Sequence, residues 1–85
     1  MKRITITHAT GLHARPAGQI AKAAQGFLSE VELIKGDRSY NGKSIMAVLS
    51  MGAVSGDVIE IRCTGTDAEA AEATLESLLA EINAG

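Results

Sequence analysis

The chain contains very few aromatic residues and no tryptophan. Phe27 and Tyr40 make up the whole aromatic content, 2 % of 85 residues, whereas hydrophobic residues reach 46 %. The sequence therefore predicts a core of Ile, Val, Leu, Ala and Met side chains. This length supports one hydrophobic core of modest stability, so we expect a single domain over residues 1–85.

Disulfides, long apolar runs and a basic net charge are also missing. The one cysteine, Cys63, excludes an internal disulfide. No apolar run approaches the ~20 residues that span a bilayer, and no segment resembles a signal peptide. The net charge of −2 argues against nucleic acid as the main partner. We therefore expect a cytoplasmic protein with no membrane insertion.

The charges are distributed unevenly along the chain. Residues 1–66 carry all eight basic residues and five acidic ones, whereas residues 67–85 carry five acidic residues and no basic one. A solvated acidic helix and a surface that steers charged partners both fit this pattern.

Alternating apolar and polar residues predict four strands. Three of them are residues 2–7 (KRITIT), 30–35 (EVELIK) and 57–64 (DVIEIRCT), each with its apolar side chains on one face. The Gly-Asp pair at 36–37 predicts a hairpin that leads into a short strand over 38–40. Cys63 falls on the inward face, so we interpret it as an inert core residue.

Apolar spacing and end signals predict three helices. The first extends over residues 14–25, the second over 45–50 with Ser44 as its N-cap, and the third begins after Asp67 as its N-cap. In the third helix the expected apolar stripe is Ala68, Ala71, Leu75, Leu78, Leu79 and Ile82, and the expected solvent face is Glu69, Glu72, Glu76 and Glu81. The order βαββαβα predicts an α+β open-faced two-layer β-sandwich, a four-stranded antiparallel sheet covered on one face by three helices.

The stretch TGLHARPAG, residues 10–18, places a histidine where a loop becomes a helix. Gly11 permits a tight turn, and Pro16 fits only in a first helical turn, so His13 should lie near the N-cap. The free amides and positive dipole end there disfavour an imidazolium and attract an anion. Arg15 adds a guanidinium whose donors match phosphate oxygens. These residues indicate an imidazole that accepts a phosphoryl group, although a histidine that merely caps the helix beside a solvated arginine fits the same spacing.

Two neighbouring polar residues have simpler interpretations. His8 could form a metal pair with His13, but no third ligand has suitable spacing, so a surface histidine is the favoured interpretation. Thr10 could cap or orient His13. We expect no metal site and no cofactor.

Two segments resemble one known family. GLHARPAG is similar to the active-site signature of the histidine-containing phosphocarrier protein (HPr) family of the bacterial phosphoenolpyruvate-dependent sugar phosphotransferase system, and GKSIMAVLSMGAVSGD resembles its regulatory-serine segment. The resemblance covers essentially the whole chain. It implies that His13 is phosphorylated at Nδ1 by enzyme I, that Arg15 supports the phosphoryl group, and that sugar-specific enzyme IIA domains accept it. On this basis the chain is not an enzyme but a substrate and phosphoryl donor, and we expect a monomer.

The resemblance also implies a docking surface and a regulatory site. It places Ala14, Gly18, Lys22, Met46 and Leu49 around the partner-docking surface. Met46 lies off the inward spacing of Ile45, Val48 and Leu49, and an exposed thioether suits several partners; for Leu49, core packing is an equal alternative. Ser44 matches the serine that HPr kinase/phosphorylase modifies in many members, and a plain N-cap is its alternative interpretation.

Three other functions compete with the sugar-branch carrier. A carrier of the nitrogen-regulatory branch would share the histidine motif. A regulatory binding module would be recognised by its partner through a phosphorylated Ser44. A small hydrolase of the acylphosphatase type would need an arginine and a water-positioning asparagine in one loop, and no such pair stands out in the sequence.

Overall fold

The computed structural model describes all 85 residues, Met1–Gly85. Its elements are β1 (Lys2–Thr5), α1 (Ala14–Gln25), β2 (Glu30–Lys35), β3 (Arg38–Asn41), α2 (Ile45–Ser50), β4 (Val58–Thr64) and α3 (Ala68–Ala84). The predicted order βαββαβα is confirmed. No helix has the length and hydropathy that crossing a membrane requires.

The strands form one antiparallel sheet in the order β1-β4-β2-β3. The register pairs Ile4 with Ile59 and Leu33 with Ile61, so apolar side chains from neighbouring strands share a face. The three helices pack with this sheet around an aliphatic core. The predicted α+β open-faced sandwich is therefore confirmed.

The other face of the sheet carries polar pairs. Arg62 Nε donates to Glu32 Oε1 over 3.2 Å, and Ser39 Oγ donates to Glu32 Oε2 over 2.6 Å. These two donors, the hydroxyl first, lower the pKa of Glu32. This face is the solvated side that the alternating sequence predicts.

β1 is shorter than the predicted strand over residues 2–7. Ile6 remains fully buried, but its amide donates to Asp57 O and its carbonyl accepts from Gly56, in the loop before β4. Beyond it, the amides of Thr7 and His8 both donate to Asn83 Oδ1 on α3, over 2.8 and 3.3 Å. A side chain of the last helix thus replaces strand pairing and holds the loop that leads to residue 13.

Asp67 occupies the N-cap position of α3 but does not cap it with its side chain, contrary to the prediction. Its carboxylate instead accepts hydrogen bonds from the amides of Leu28 and Ser29 and from the Ser29 hydroxyl. The Ser29 hydroxyl is the main cause of a lowered pKa at Asp67. The carboxylate is attracted to the start of β2 because the chain turns there with unpaired amides.

The predicted solvent face of α3 is wrong at Glu72, which is only 8 % exposed. Its Oε2 accepts from the Cys63 amide over 2.9 Å, and its Oε1 accepts from the N-terminal ammonium of Met1 over 2.8 Å. Both bonds lower the pKa of Glu72, the ammonium most. Cys63 itself is buried and free, and burial raises the pKa of its thiol.

Candidate functional site

His13 stands at the N-cap of α1 without capping it. Its backbone is extended (φ −82°, ψ −168°), and its side chain makes no hydrogen bond to the helix amides. The imidazole is exposed, whereas the residue's carbonyl accepts from the Ala17 amide over 3.0 Å. The interpretation of His13 as a side-chain helix cap is therefore wrong, and the ring remains available to a ligand.

A glycine turn pins the loop before His13 to the core. Gly11 has φ +65°, and a Cβ there would collide with the carbonyl oxygen of Ala53. The next residue, Leu12, is buried, and its amide donates to that same oxygen over 3.0 Å. Glycine is needed at this position because of the positive φ and because of the close approach to Ala53. The turn determines the position of the imidazole that follows it.

The first turn of α1 presents an unneutralised positive charge. Pro16 lies in this turn, as predicted, and is buried, and no acidic residue occupies the turn. Arg15 is exposed, and its guanidinium forms no hydrogen bond or ion pair within the fold. By contrast, Lys43 Nζ donates to Phe27 O over 2.7 Å. Arg15 is thus a free cation beside a free imidazole and the positive end of a helix.

The tertiary structure adds the end of α3 to this site. A depression of ≈ 350 Å³ is lined by the loop and α1 residues His8, His13, Arg15, Pro16 and Gln19, by the α3 residues Leu78, Glu81 and Ile82, and by Gly85 after α3. Arg15 and Glu81 are the charged residues of the lining. The depression is shallow and open, which suits a surface group better than an enclosed substrate.

His8 lies beside His13, whereas the sequence analysis considered the two histidines as a pair and favoured a surface histidine instead. The centroids of the two imidazole rings are 6.0 Å apart, with an interplanar angle of 42°. Thr10 contacts His8 and not His13, contrary to the prediction: its amide and Oγ1 lie 3.3 and 2.9 Å from His8 Nδ1. The only sequence signal was the pair of histidines flanking a glycine turn. No group of three or more His, Cys, Asp or Glu side chains is placed to hold a metal.

Ser44 is the N-cap of α2, as predicted. Its Oγ accepts from the Ala47 amide over 3.1 Å, and its backbone is extended. The helix has one fully buried residue, Val48. Met46 is 74 % exposed, and Leu49 is half-buried against the core. Ile45 is 46 % exposed, so its predicted inward position is wrong.

The predicted docking residues lie on two helices that pack against each other, α1 and α2. Ala14 and Lys22 are exposed, and a Cβ added to Gly18 would meet no neighbour. These three residues follow one another at four-residue intervals, which places them on one face of α1. Met46, on α2, is also exposed.

Comparison with known proteins finds relatives that share this fold and have about the same length as this chain. The family described as "PTS HPr component phosphorylation site" matches residues 1–81. The phosphocarrier protein HPr of Neisseria meningitidis serogroup A is 40 % identical over 76 residues, covering 89 % of this chain and 85 % of that protein. The solved histidine-containing phosphocarrier protein from Mycoplasma superposes with a TM-score of 0.93 at 35 % identity, covering 96 % of this chain and 93 % of that one.

A longer relative contains the same unit. The multiphosphoryl transfer protein of Xanthomonas campestris is 35 % identical over 80 residues, which are 94 % of this chain and 10 % of that protein. The fold and the matched proteins define the class, the open-faced sandwich phosphocarrier proteins. Within that class, the chain belongs to the HPr family of the phosphotransferase system.

Proposed function

We propose that this chain carries a phosphoryl group on His13. Enzyme I, charged by phosphoenolpyruvate, donates the group, and sugar-specific enzyme IIA domains accept it. In the first step the bond between phosphorus and enzyme I breaks as a bond forms between phosphorus and the His13 imidazole. In the second step the bond to His13 breaks as phosphorus bonds to the enzyme IIA domain, so the carrier returns unchanged. The observation that supports this role most is the exposed, uncapped imidazole beside an unpaired Arg15.

The forces at the site suit transient storage. A helix N-terminus stabilises an anion by ~0.3–1 kcal/mol, and by up to ~2 kcal/mol when partly buried. A charged hydrogen bond from Arg15 contributes a further ~1.5–3 kcal/mol. Interactions of this strength stabilise a bound phosphoryl group and still allow its release to a partner.

Labelled phosphoenolpyruvate tests this function directly. With enzyme I, the wild-type chain should acquire an acid-labile, base-stable label, and without enzyme I it should acquire none. His13→Ala should stay unlabelled, and a label that persists in it would remove His13 from the central role. Adding enzyme IIA domains of the sugar and nitrogen branches shows which of them withdraws the label, and so distinguishes the two branches.

We further propose that Ala14, Gly18, Lys22, Met46 and Leu49 contribute to the surface that partners contact. The exposure of Met46 and the continuous face on α1 support this assignment. A flexible thioether adapts to differently shaped partners. Ile45 joins this surface, because nearly half of its side chain is exposed.

We infer that Ser44 is a regulatory phosphorylation site for an HPr kinase/phosphorylase. The resemblance of residues 42–57 to the family's serine segment supports this role. A phosphate at this position would lie beside the docking surface and would change its charge by about −1.5 to −2 at pH 7. A carrier whose docking surface becomes more acidic would bind its partners differently.

We infer that the carrier works as a monomer in the cytoplasm. The edge strands β1 and β3 have four residues each and carry Lys2, Arg3 and Arg38, features that oppose edge-to-edge pairing. The solved HPr dimer from Thermoanaerobacter tengcongensis, with 36 % identity and a TM-score of 0.79, is a relative that associates. A buried free Cys63 suits a reducing compartment.

A further inference from the structure

His8 is held in place at three points. Its amide donates to Asn83 Oδ1 on α3, and its carbonyl accepts from the Gly11 amide over 3.0 Å. Its ring accepts at Nδ1 from Thr10, through both the amide and the hydroxyl. The two backbone bonds hold the loop at His8, and the contacts with Thr10 restrain the direction of its partly buried ring.

The bonds from Thr10 also determine which ring nitrogen carries the proton. A backbone amide can only donate, so His8 Nδ1 must be the unprotonated acceptor. The proton of the neutral ring then resides on Nε2. No protein atom hydrogen-bonds to His8 Nε2, so the N–H donor of the neutral ring is unused, and His8 is one of the residues that line the depression.

The ring that carries this donor lies close to the His13 ring. The two ring centroids are 6.0 Å apart, and the rings do not hydrogen-bond to each other. At this separation a phosphoryl group attached to His13 would lie next to the His8 ring. Arg15 lines the same depression and contributes a second set of donors, whereas Glu81 contributes the acidic side chain of the lining.

We propose that His8 is a positioning residue for the phosphorylated state: its Nε2–H donates a hydrogen bond to a phosphoryl oxygen on His13. This role rests on the proposed function of His13. No covalent bond forms or breaks at His8. A donor held in advance on a rigid loop loses little freedom when the phosphoryl group arrives, so it stabilises phosphorylated His13 over the free imidazole. Thr10 supports it by orienting the ring.

The equilibrium of phosphorylation tests this role. The phosphorylated fraction is measured at a series of pyruvate-to-phosphoenolpyruvate ratios, with enzyme I as catalyst, because an equilibrium is independent of how the partner docks. His8→Phe should lower the equilibrium constant about tenfold, the loss expected for one hydrogen bond to a charged group. His8→Gln, which offers an amide donor, should restore most of it. Thr10→Val should give an intermediate loss, and Thr66→Val, an exposed threonine before the opposite end of α3, should give none.

A spectroscopic readout separates failure of this role from failure of the carrier function. Protein with ¹⁵N-labelled histidine is phosphorylated with potassium phosphoramidate, which needs no enzyme I. The His8 Nε2 resonance should shift, and its attached proton should exchange more slowly with water. An unmoved Nε2 resonance on phosphorylated protein, or equal losses in folded His8→Phe and His8→Gln, would overturn the proposal. A wild-type chain that enzyme I does not label, but whose His8 responds to phosphoramidate, would overturn the carrier function alone.

Discussion

At the residue scale, the two side chains proposed to receive and hold the phosphoryl group, His13 and Arg15, have no partner within the fold. Lys35 donates to Met51 O over 3.0 Å, and Lys43 donates to Phe27 O, so both stabilise the fold. Arg15 forms no comparable bond, and the ring of His13 caps nothing. A free guanidinium retains its full capacity for bidentate contact with an anion.

Removing the Arg15 guanidinium should therefore affect transfer more than folding. Arg15→Ala should slow phosphoryl acceptance from enzyme I about tenfold or more, because a charged hydrogen bond is lost. Its free energy of unfolding should change by less than ~1 kcal/mol. Stopped-flow transfer and urea denaturation measure the two effects. Arg38→Ala, on an edge strand, is the matched control. A normal transfer rate in Arg15→Ala would mean that the helix N-terminus and the partners stabilise the phosphoryl group without Arg15.

At the element scale, the three helix starts differ in what caps them. Ser44 caps α2 with its side chain, whereas His13 and Asp67 do not cap their helices. The ring of His13 is free in solvent, and the Asp67 carboxylate ties the first turn of α3 to the start of β2. The N-cap residue therefore has a different role in each helix: it caps α2, presents an exposed ring at α1 and joins α3 to β2.

Ser44 allows a cap and a charge to be varied separately. Ser44→Asp keeps a good N-cap, so it should fold normally, but its negative charge should raise the KM for enzyme I about three- to tenfold if the approaching surface is acidic. Ser44→Ala should keep the KM and lose ~1 kcal/mol of stability. Transfer kinetics and a denaturation curve for each variant measure both quantities. Unchanged kinetics in the Asp variant would leave Ser44 as a helix cap only.

Glu72 joins α3 to β4, and its loss should destabilise the fold. Glu72→Ala leaves the amide of Cys63 without its acceptor, at a cost of ~1–3 kcal/mol. Glu69→Ala, exposed on the same helix, should change stability by less than ~0.5 kcal/mol. Urea denaturation at neutral pH makes the comparison. Equal curves for the two variants would mean that water replaces the carboxylate at no cost.

At the scale of the whole molecule, carboxylates join distant parts of the chain. Asp67 and Glu72 bind groups 38 and 71 residues away. In both, the accepted hydrogen bonds lower the pKa in the folded state. The folded chain therefore binds fewer protons than the unfolded chain in acid, and acidification favours unfolding.

The stability of the chain should consequently fall in acid. The contribution of these carboxylates is present above the unfolded pKa values of about 4 and is lost as the pH falls through the lower folded values. Asp67→Asn should be less stable at pH 7 and should lose less stability than the wild type between pH 6 and 3. Urea midpoints across this range test the expectation. Parallel curves for the two proteins would contradict a role for Asp67 in the acid response.

The sequence by itself determined the elements, because each depends on neighbours within a few positions. Alternation specified the strands, helical spacing specified the helices, and the Gly-Asp pair specified the hairpin between β2 and β3. The N-cap position of His13 and the capping by Ser44 were predictable for the same local reason. The predicted end of β1 was wrong because the Thr7 amide donates to Asn83 Oδ1 instead of pairing with a neighbouring strand.

The tertiary structure alone decided which side chains meet across the fold. It buried Glu72 under β1 and β4, directed the Asp67 carboxylate to Ser29, and placed the end of α3 beside His13. It also exposed Ile45 and tied Thr10 to His8. Helical and strand periodicities report only which face a residue occupies. Which backbone amide or ring stands opposite that face is set by the packing of elements that are far apart along the chain.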